Sequence, residues 1–568
     1  MPSNKGFRYT VMRHGRAVLS MACAVVLAAT VSVLVTNHPG RAASADASAV
    51  PCASGTTVQT ADGPVCGISS GGVNEWLGIP YAAPPVGALR WQPPQAPAQW
   101  TTTLNATAFG PECVQTSPDR GGVSVAGSSE NCLFVNVWAP QSATSGENLP
   151  VMVHIHGGGF YAGNGNADNS LLAGKNEVIV SMNYRLGIFG FLANPALGAH
   201  SGDYGLQDQQ AALRWVQTNI AQFGGNPNKV TIFGESAGGS SVCDQIASPT
   251  AKGLFTGAIS TSGEYNTLLG TLEPTRPNGS EDLESQDCKS VLPTAAQADS
   301  AGRSFAAAVG CGSGTGSAVA TCLQQVPTDK VAQTADTPGD GFQFGGQGTI
   351  APTINGSTLT ETLRQALRTG DVNRVPVIAG TDRDEDLIGD PTTRAAYRKL
   401  VKQEYPGVAD EVLSRYPVTS FDSPFIAWRT VAADSSTVCP SITTDKDLAK
   451  WMPTYAYLIT DEDIPPYAPQ GTVATPAGAS HVGAWFLNPV TPALDANQQA
   501  LQDQEIAEVT TFARKGNPSA KGSLAWPEFG ASKSEMELAP AGDSQTMPIA
   551  QISATHNCDF WDSIAPTS

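Results

Sequence analysis

The stretch KVTIFGESAGGSS, residues 229–241, decides how the rest of the chain is read. Four β-prone residues, Val230, Thr231, Ile232 and Phe233, run into Gly234-Glu235-Ser236-Ala237-Gly238, with nothing polar ahead of the glycine to act as an ordinary helix cap. A strand that turns sharply at G-x-S-x-G into a small-residue helix holds its serine at a strained corner. The hydroxyl then projects above the sheet, and the N–H groups of the new helix lie behind it. Gly234, Gly238 and the small Ala237 fit a place where neighbouring backbone comes too close for a side chain. The pentapeptide also arises by chance in a chain with 58 glycines, but the strand before it and the helix after it argue against chance.

Outward from this corner, strands alternate with helices. VMVHI (151–155), VIVSM (178–182), VTIF (230–233), GAIST (257–261) and VPVIA (375–379) are short apolar runs of the kind buried in parallel sheets. Leu206, Leu213, Val216 and Ile220 form one stripe of a helix that Gly224-Gly225 ends. Ile506, Val509 and Phe512 mark another that stops at Gly516-Asn517-Pro518. The alternation predicts an open α/β sheet, mostly parallel, with helices on both faces. Gly/Ser/Pro-rich pieces at 114–131, 271–300 and 311–320 read as loop insertions rather than linkers, because the same pattern resumes after each. One domain over residues 46–568 is therefore expected.

At the N-terminus, Lys5, Arg8, Arg13 and Arg16 precede an apolar run from Ala17 to Val35, followed by Ala43-Ser44-Ala45. This is the pattern of a secretory signal covering residues 1–45. The run is also long enough for an uncleaved anchor, but Ser20, Thr30 and Ser32 interrupt it. Without residues 1–45 the chain keeps 27 Lys+Arg against 50 Asp+Glu, a net −23, which repels nucleic acid and anionic membranes. Cys23 leaves with the signal and ten cysteines remain, an even number suited to an oxidising, extracellular compartment. There is no C-x-x-C, and His154 and His156 have another setting, so no metal is expected; hydrolysis by a serine, a base and an acid needs no cofactor either.

Acyl transfer on Ser236 needs a base, an acid to hold the base, and N–H donors for the oxyanion. In this type of fold the chain order is serine, acid, histidine. Two histidines follow Ser236. His481 lies in the small-residue loop PAGASHVGAWF after the strand-like TYAYLIT and is the expected base, while His556, near the chain end, reads as a surface or packing residue. The acid belongs in VPVIAGTDRDEDLIGD, where Asp382, Asp384, Glu385 and Asp386 follow a strand. Most of these are expected to be solvated charges, and spacing does not choose among them. VMVHIHGGGFYAG ends a strand in three glycines whose bare backbone can turn N–H groups towards a ligand.

The chain resembles the type-B carboxylesterases, the α/β-hydrolases that include bacterial para-nitrobenzyl esterases, secreted fungal lipases and cholinesterases. The likeness runs through GIPYAAPPVGALRW (78–91), SENCLFVNVWAP (129–140), HIHGGGF (154–160), NYRLGIFGFL (183–192), GDYGLQDQQAALRWVQTNIAQFGGNP (202–227) and VTIFGESAGGSSV. It implies an α/β-hydrolase fold and hydrolysis of small-molecule esters through an acyl-enzyme. The family pattern G-x-N-x-x-E-G falls on Gly380–Asp386 and makes Glu385 the acid. Carry-over also gives His481 as base, the N–H groups of Gly158, Gly159 and Ala237 as oxyanion hole, and Glu235 and Ser262 as residues beside the triad. Family disulfides fall on Cys113–Cys132, Cys311–Cys322 and Cys439–Cys558. The remaining four cysteines stay open, with Cys52–Cys66 as a local pair and Cys243 with Cys288 by elimination.

The sequence departs from the family at Asp382, where the pattern has asparagine, at Asp386, where it has glycine, and at Ala484, where it usually has glutamate. In lipases of this family the loop equivalent to residues 114–131 is an amphipathic lid, and in cholinesterases it carries a cation-binding tryptophan. Here it reads VQTSPDRGGVSVAGSSEN, with only Val114, Val123 and Val125 as sizeable apolar residues and no tryptophan. Dissolved short- to medium-chain or aromatic esters are therefore expected as substrates. Rival readings are a non-catalytic adhesion protein on the same fold, which would have lost the serine or histidine, a true lipase or sterol esterase, and a serine peptidase.

Overall fold

A computed structural model describes residues 50–117, 123–263, 292–335, 352–384, 391–461 and 494–564. All of them fall in one unit, Gly40–Ser568. The expected signal segment, Glu385, Asp386, His481, Ala484 and Cys288 lie outside the described residues.

The frame is an eleven-stranded sheet. In chain order its strands are β1 (Ile68–Ser70), β2 (Val73–Pro80), β3 (Phe134–Pro140), β4 (Leu149–Ile155), β5 (Val178–Met182), β6 (Gly225–Glu235), β7 (Gly257–Thr261), β8 (Val377–Asp382), β9 (Thr454–Ile459), β10 (Ser534–Leu538) and β11 (Gln545–Pro548). They lie side by side as β11-β10-β9-β8-β7-β6-β4-β5-β3-β2-β1. The run from β10 to β5 is parallel throughout, and antiparallel strands close both edges. The sheet is thus mostly parallel, as the run of apolar segments implied.

Side-chain alternation along the central strands feeds a core on each face. From β4, Val151, Val153 and Ile155 join Val230 and Ile232 of β6 on one side, whereas Met152 and Phe233 join Ile259 and Ile378 on the other. Helix α1 (Tyr204–Asn219) buries Leu206, Leu213 and Val216 on the first face, together with Val242 and Ile246 of α2 (Ala237–Ala247). Helix α3 (Ala496–Lys515) covers the second with Ile506, Val509 and Phe512. It ends as its sequence predicts, at Gly516, whose φ of 70° gives the left-handed C-cap that glycine adopts without strain. Burying one such Leu, Ile or Phe side chain is worth about 1.5–3 kcal/mol, so these stripes outweigh local propensity in fixing each helix.

Disulfides join Cys52–Cys66, Cys113–Cys132, Cys311–Cys322 and Cys439–Cys558. Cys243 is disulfide-bonded as well, to a residue outside the described set. Among the described residues no helix is long and apolar enough to cross a membrane.

Candidate active site

Every central strand of the parallel run points its C-terminal end to the same edge of the sheet, where side chains from different strands meet. At the end of β6 the chain turns through Ser236, whose φ of 55° and ψ of −126° are far from any strand or helix value. Such a conformation costs a non-glycine residue about 1–3 kcal/mol and persists only where the surroundings enforce it. Two bonds do so. The Ser236 N–H donates to the Thr261 carbonyl (3.0 Å) at the end of β7, and the Ser236 carbonyl accepts from Ser240 N (2.9 Å) in the first turn of α2.

The small residues around the serine are dictated by contact with β4. A Cβ on Gly234 would stand 2.5 Å from the Ile155 carbonyl oxygen, and one on Gly238 would overlap that same oxygen. A Cβ on Gly239 would fall 2.7 Å from the Thr261 carbonyl. With bare backbone there, α2 packs directly against two strand ends, and Ala237 is its first residue, fully buried. The first N–H groups of a helix have no partner within it, so Ala237 N–H is available to a ligand.

Beyond β4 the chain continues as His156-Gly157-Gly158-Gly159-Phe160. Gly157 passes so near the corner that a Cβ there would lie 3.3 Å from the Ser236 Cβ and 2.5 Å from the Glu235 carbonyl. Gly158 and Gly159 have φ values of 103° and 63°. Among the described residues, the N–H groups of Gly158, Gly159 and Ala237 donate to no protein acceptor. The structure therefore brings Ser236 beside the glycine loop, with unspent backbone donors on both.

Two further residues named from sequence lie beside this corner. Glu235 ends β6 opposite Thr261, and its carboxylate oxygen would be 3.3 Å from a Cβ on Gly157. Ser262 is buried, has a φ of 43°, and donates its N–H to the Gly380 carbonyl of β8 (2.8 Å), which ties the ends of β7 and β8 together. Its hydroxyl is 3.5 Å from that of Thr381.

The acid-bearing stretch differs from expectation. Asp382 and Asp384 are buried rather than solvated, and Asp384 pairs with Arg383 (2.6 Å). The strand preceding them starts at Val377 rather than Val375, since Pro376 has no N–H for the ladder, and it runs on through Gly380 to Asp382 between two parallel neighbours.

Of the two readings of His556, surface or packing, the structure shows packing: the residue is buried. Its Nδ1 lies 2.5 Å from Asp434 Oδ1, far along the chain from the glycine loop. Sequence reading missed this pair because its members are 122 residues apart and share no motif. His154 and His156 also prove buried, each stacked on an aromatic ring: His154 on Phe233 and His156 on Tyr184. Burial pushes them down to about 3 and about 4, so both imidazoles are neutral at ordinary pH.

The comparisons with known proteins agree with this geometry. The family model described as "Carboxylesterase family" matches residues 54–561. A para-nitrobenzyl esterase of Bacillus subtilis (strain 168) is 34% identical over 508 residues, covering 83% of this chain and 92% of the relative. A fumonisin B1 esterase of Sphingopyxis macrogoltabida is 45% identical over 248 residues, which span only 46% of that relative's length and 41% of this chain. A solved PNB esterase superposes with a TM-score of 0.69 at 29% identity, covering 89% of this chain and 99% of its own. The chain belongs to the carboxylesterase family, an α/β-hydrolase that hydrolyses carboxylic esters.

Proposed function

We propose that the protein is an exported serine carboxylesterase in which Ser236 is the nucleophile, His481 the general base and Glu385 the acid that orients it. The observation that carries this reading is the strained Ser236 corner with the unspent N–H groups of Gly158, Gly159 and Ala237 around it. In sequence, Glu385 follows β8 by three residues and His481 follows β9, and both strands end at the edge where Ser236 stands.

Ser236 Oγ attacks the ester carbonyl while His481 takes its proton. The carbonyl π electrons move onto oxygen, and the three backbone donors hold that oxyanion. Collapse breaks the acyl–oxygen bond, and His481 returns the proton to the departing alcohol. Water then attacks the acyl-enzyme by the same route, releasing the acid and restoring the serine. Nothing in this cycle calls for a cofactor.

Dissolved short- to medium-chain or aromatic esters are the substrates in this reading, on the strength of the weakly apolar loop between Cys113 and Cys132. Export rests on the segment 1–45 and on the disulfides, which form in oxidising compartments. The deciding experiment is hydrolysis of nitrophenyl esters by Ser236→Ala, His481→Ala and Glu385→Ala. Each is expected to lose several powers of ten in turnover, and the combined variant little more, because the three act as one unit. A His481→Ala variant with near-normal turnover, or an Asp384 variant worse than Glu385→Ala, refutes the assignment.

A further inference from the structure

The glycine loop poses a problem that the triad does not solve. Glycines give the loop its positive φ values, but they also leave each peptide unit free to rotate, and a peptide turned over by 180° presents a carbonyl where the oxyanion needs an N–H. Each unit is planar and trans, so its N–H points opposite to its C=O. Whatever holds the carbonyl of one glycine therefore aims the N–H of the next.

Two carbonyls in the loop are held, in different ways. The Gly158 carbonyl, which aims the Gly159 N–H, accepts backbone bonds from Ala162 (2.9 Å) and Tyr161 (3.2 Å). The Gly157 carbonyl, which aims the Gly158 N–H, lies 2.8 Å from His156 Nδ1. At that distance a carbonyl oxygen needs a proton between the two atoms, which places the imidazole hydrogen on Nδ1. Nε2 is then bare, and it has no hydrogen-bond partner among the described residues.

The histidine is itself fixed. Its ring stacks on Tyr184 at 4.3 Å, and the Tyr184 hydroxyl donates to the His156 carbonyl (2.8 Å). A Cβ on Gly163 would lie 2.6 Å from Nδ1, so the loop closes tightly over the bond.

We propose that His156 is a positioning residue for ester hydrolysis: by donating Nδ1–H to the Gly157 carbonyl it fixes the peptide whose N–H is the Gly158 oxyanion donor. The inference rests on the reading of Gly158 as part of the oxyanion hole. His156 touches neither substrate nor Ser236 Oγ in this role. It acts before the reaction, by removing the competing orientation of one peptide.

The test uses His156→Asn and His156→Leu in the full chain. Asparagine Nδ2 occupies the place of imidazole Nδ1 and restores the donor, whereas leucine fills space without one. Loss of a single oxyanion donor costs on the order of 10²–10³ in kcat. His156→Leu is therefore expected to lose about that factor in kcat, with KM within about threefold of wild type. Its inhibition by a trifluoromethyl ketone, which forms an oxyanion on the serine, should weaken by the same factor. His156→Asn should stay within about fivefold of wild type on all three measures. Wild-type kcat in His156→Leu, or a folded His156→Asn as impaired as the leucine variant, overturns the proposal. Should His156→Leu fail to fold, His156→Asn alone decides, a hundredfold loss in a folded protein refuting the role. Hydrolysis that survives Ser236→Ala would instead refute the underlying active-site reading.

Discussion

His556 Nδ1 lies 2.5 Å from Asp434 Oδ1 in the interior, and the other carboxylate oxygen of Asp434 accepts from the Tyr416 hydroxyl (2.8 Å). That hydroxyl in turn accepts from Trp561 Nε1 (2.7 Å). The second histidine after Ser236 thus anchors the C-terminal helices Ile549–Thr555 and Cys558–Ile564 to the segment that begins at Asp434. Removing one member of a buried ion pair leaves the other uncompensated and costs about 3–5 kcal/mol. His556→Gln is expected to lower stability by that amount in denaturant titrations at pH 6, while the kcat of the folded fraction stays within about twofold. A loss of kcat comparable to that of His481→Ala would show that the two histidines have been assigned the wrong way round.

Stability should fall as pH rises through neutrality. Burial raises the carboxyls of Glu177 and Glu508 to about 8 and Glu535 to about 7, each from 4.5. His556 is also raised, since the Asp434 carboxylate, helped by Asp384, outweighs burial and the opposing Arg383. In each case the folded state holds a proton that the unfolded chain releases at lower pH. The contribution is complete below the unfolded value and is lost as pH climbs through the folded one. The window for the three carboxyls runs from about 4.5 to about 8. Thermal unfolding followed from pH 5 to pH 9 should show a falling Tm. Glu508, fully buried and, among the described residues, with only Gln504 Nε2 beside one oxygen, is the group to neutralise. Glu508→Gln should leave Tm unchanged near pH 5 and raise it near pH 9, and a variant that lowers Tm equally at both would contradict the burial argument.

The corner around Ser236 should not tolerate one methyl group. A Cβ on Gly238 would overlap the Ile155 carbonyl oxygen and press on the His156 backbone at 3.0 Å, and neither is a side chain able to swing away. Gly238→Ala is expected to cost about 1–3 kcal/mol in stability, as overpacking does, and at least a tenfold loss in kcat as Ala237 N–H shifts. Gly407→Ala, with open space around the new methyl, is the control and should be neutral on both counts. Equal behaviour of the two variants would mean that α2 has room to move.

Substrate physical state gives a further check. Between Cys113 and Cys132 the chain has no Leu, Ile, Phe, Trp or Met, so it offers no apolar face large enough to gain from contact with lipid. Activity against a nitrophenyl or triacylglycerol series should follow dissolved substrate, with no jump at the solubility limit, and choline esters should not be preferred over neutral esters of the same shape. A sharp rise on emulsified long-chain triglyceride would refute this.

The sequence alone determined whatever is written in neighbouring residues. Val230–Phe233 leading into Gly234-Glu235-Ser236-Ala237-Gly238 is readable because close backbone contact forbids large side chains there, and that restriction acts position by position. The central strands and the stripes Leu206–Ile220 and Ile506–Phe512 are readable for a similar reason, since a fully buried strand or helix face must be apolar along its own length. The edge strands β1 and β11 are not legible as strands, because their short, partly exposed segments carry a weak pattern. Tertiary structure alone decided what depends on distant partners. Asp382 and Asp384 look like loop charges in sequence and are buried in the fold. His556 reads in sequence as a surface or packing residue and is held by Asp434 in the interior. His156 looks like a strand-end residue and is found donating to the Gly157 carbonyl. A side chain's charge, tautomer and task are set by what the fold places around it: His556 meets Asp434 from 122 residues away, and His156, although its acceptor is the neighbouring Gly157, is held in that pose by Tyr184 from the chain after β5.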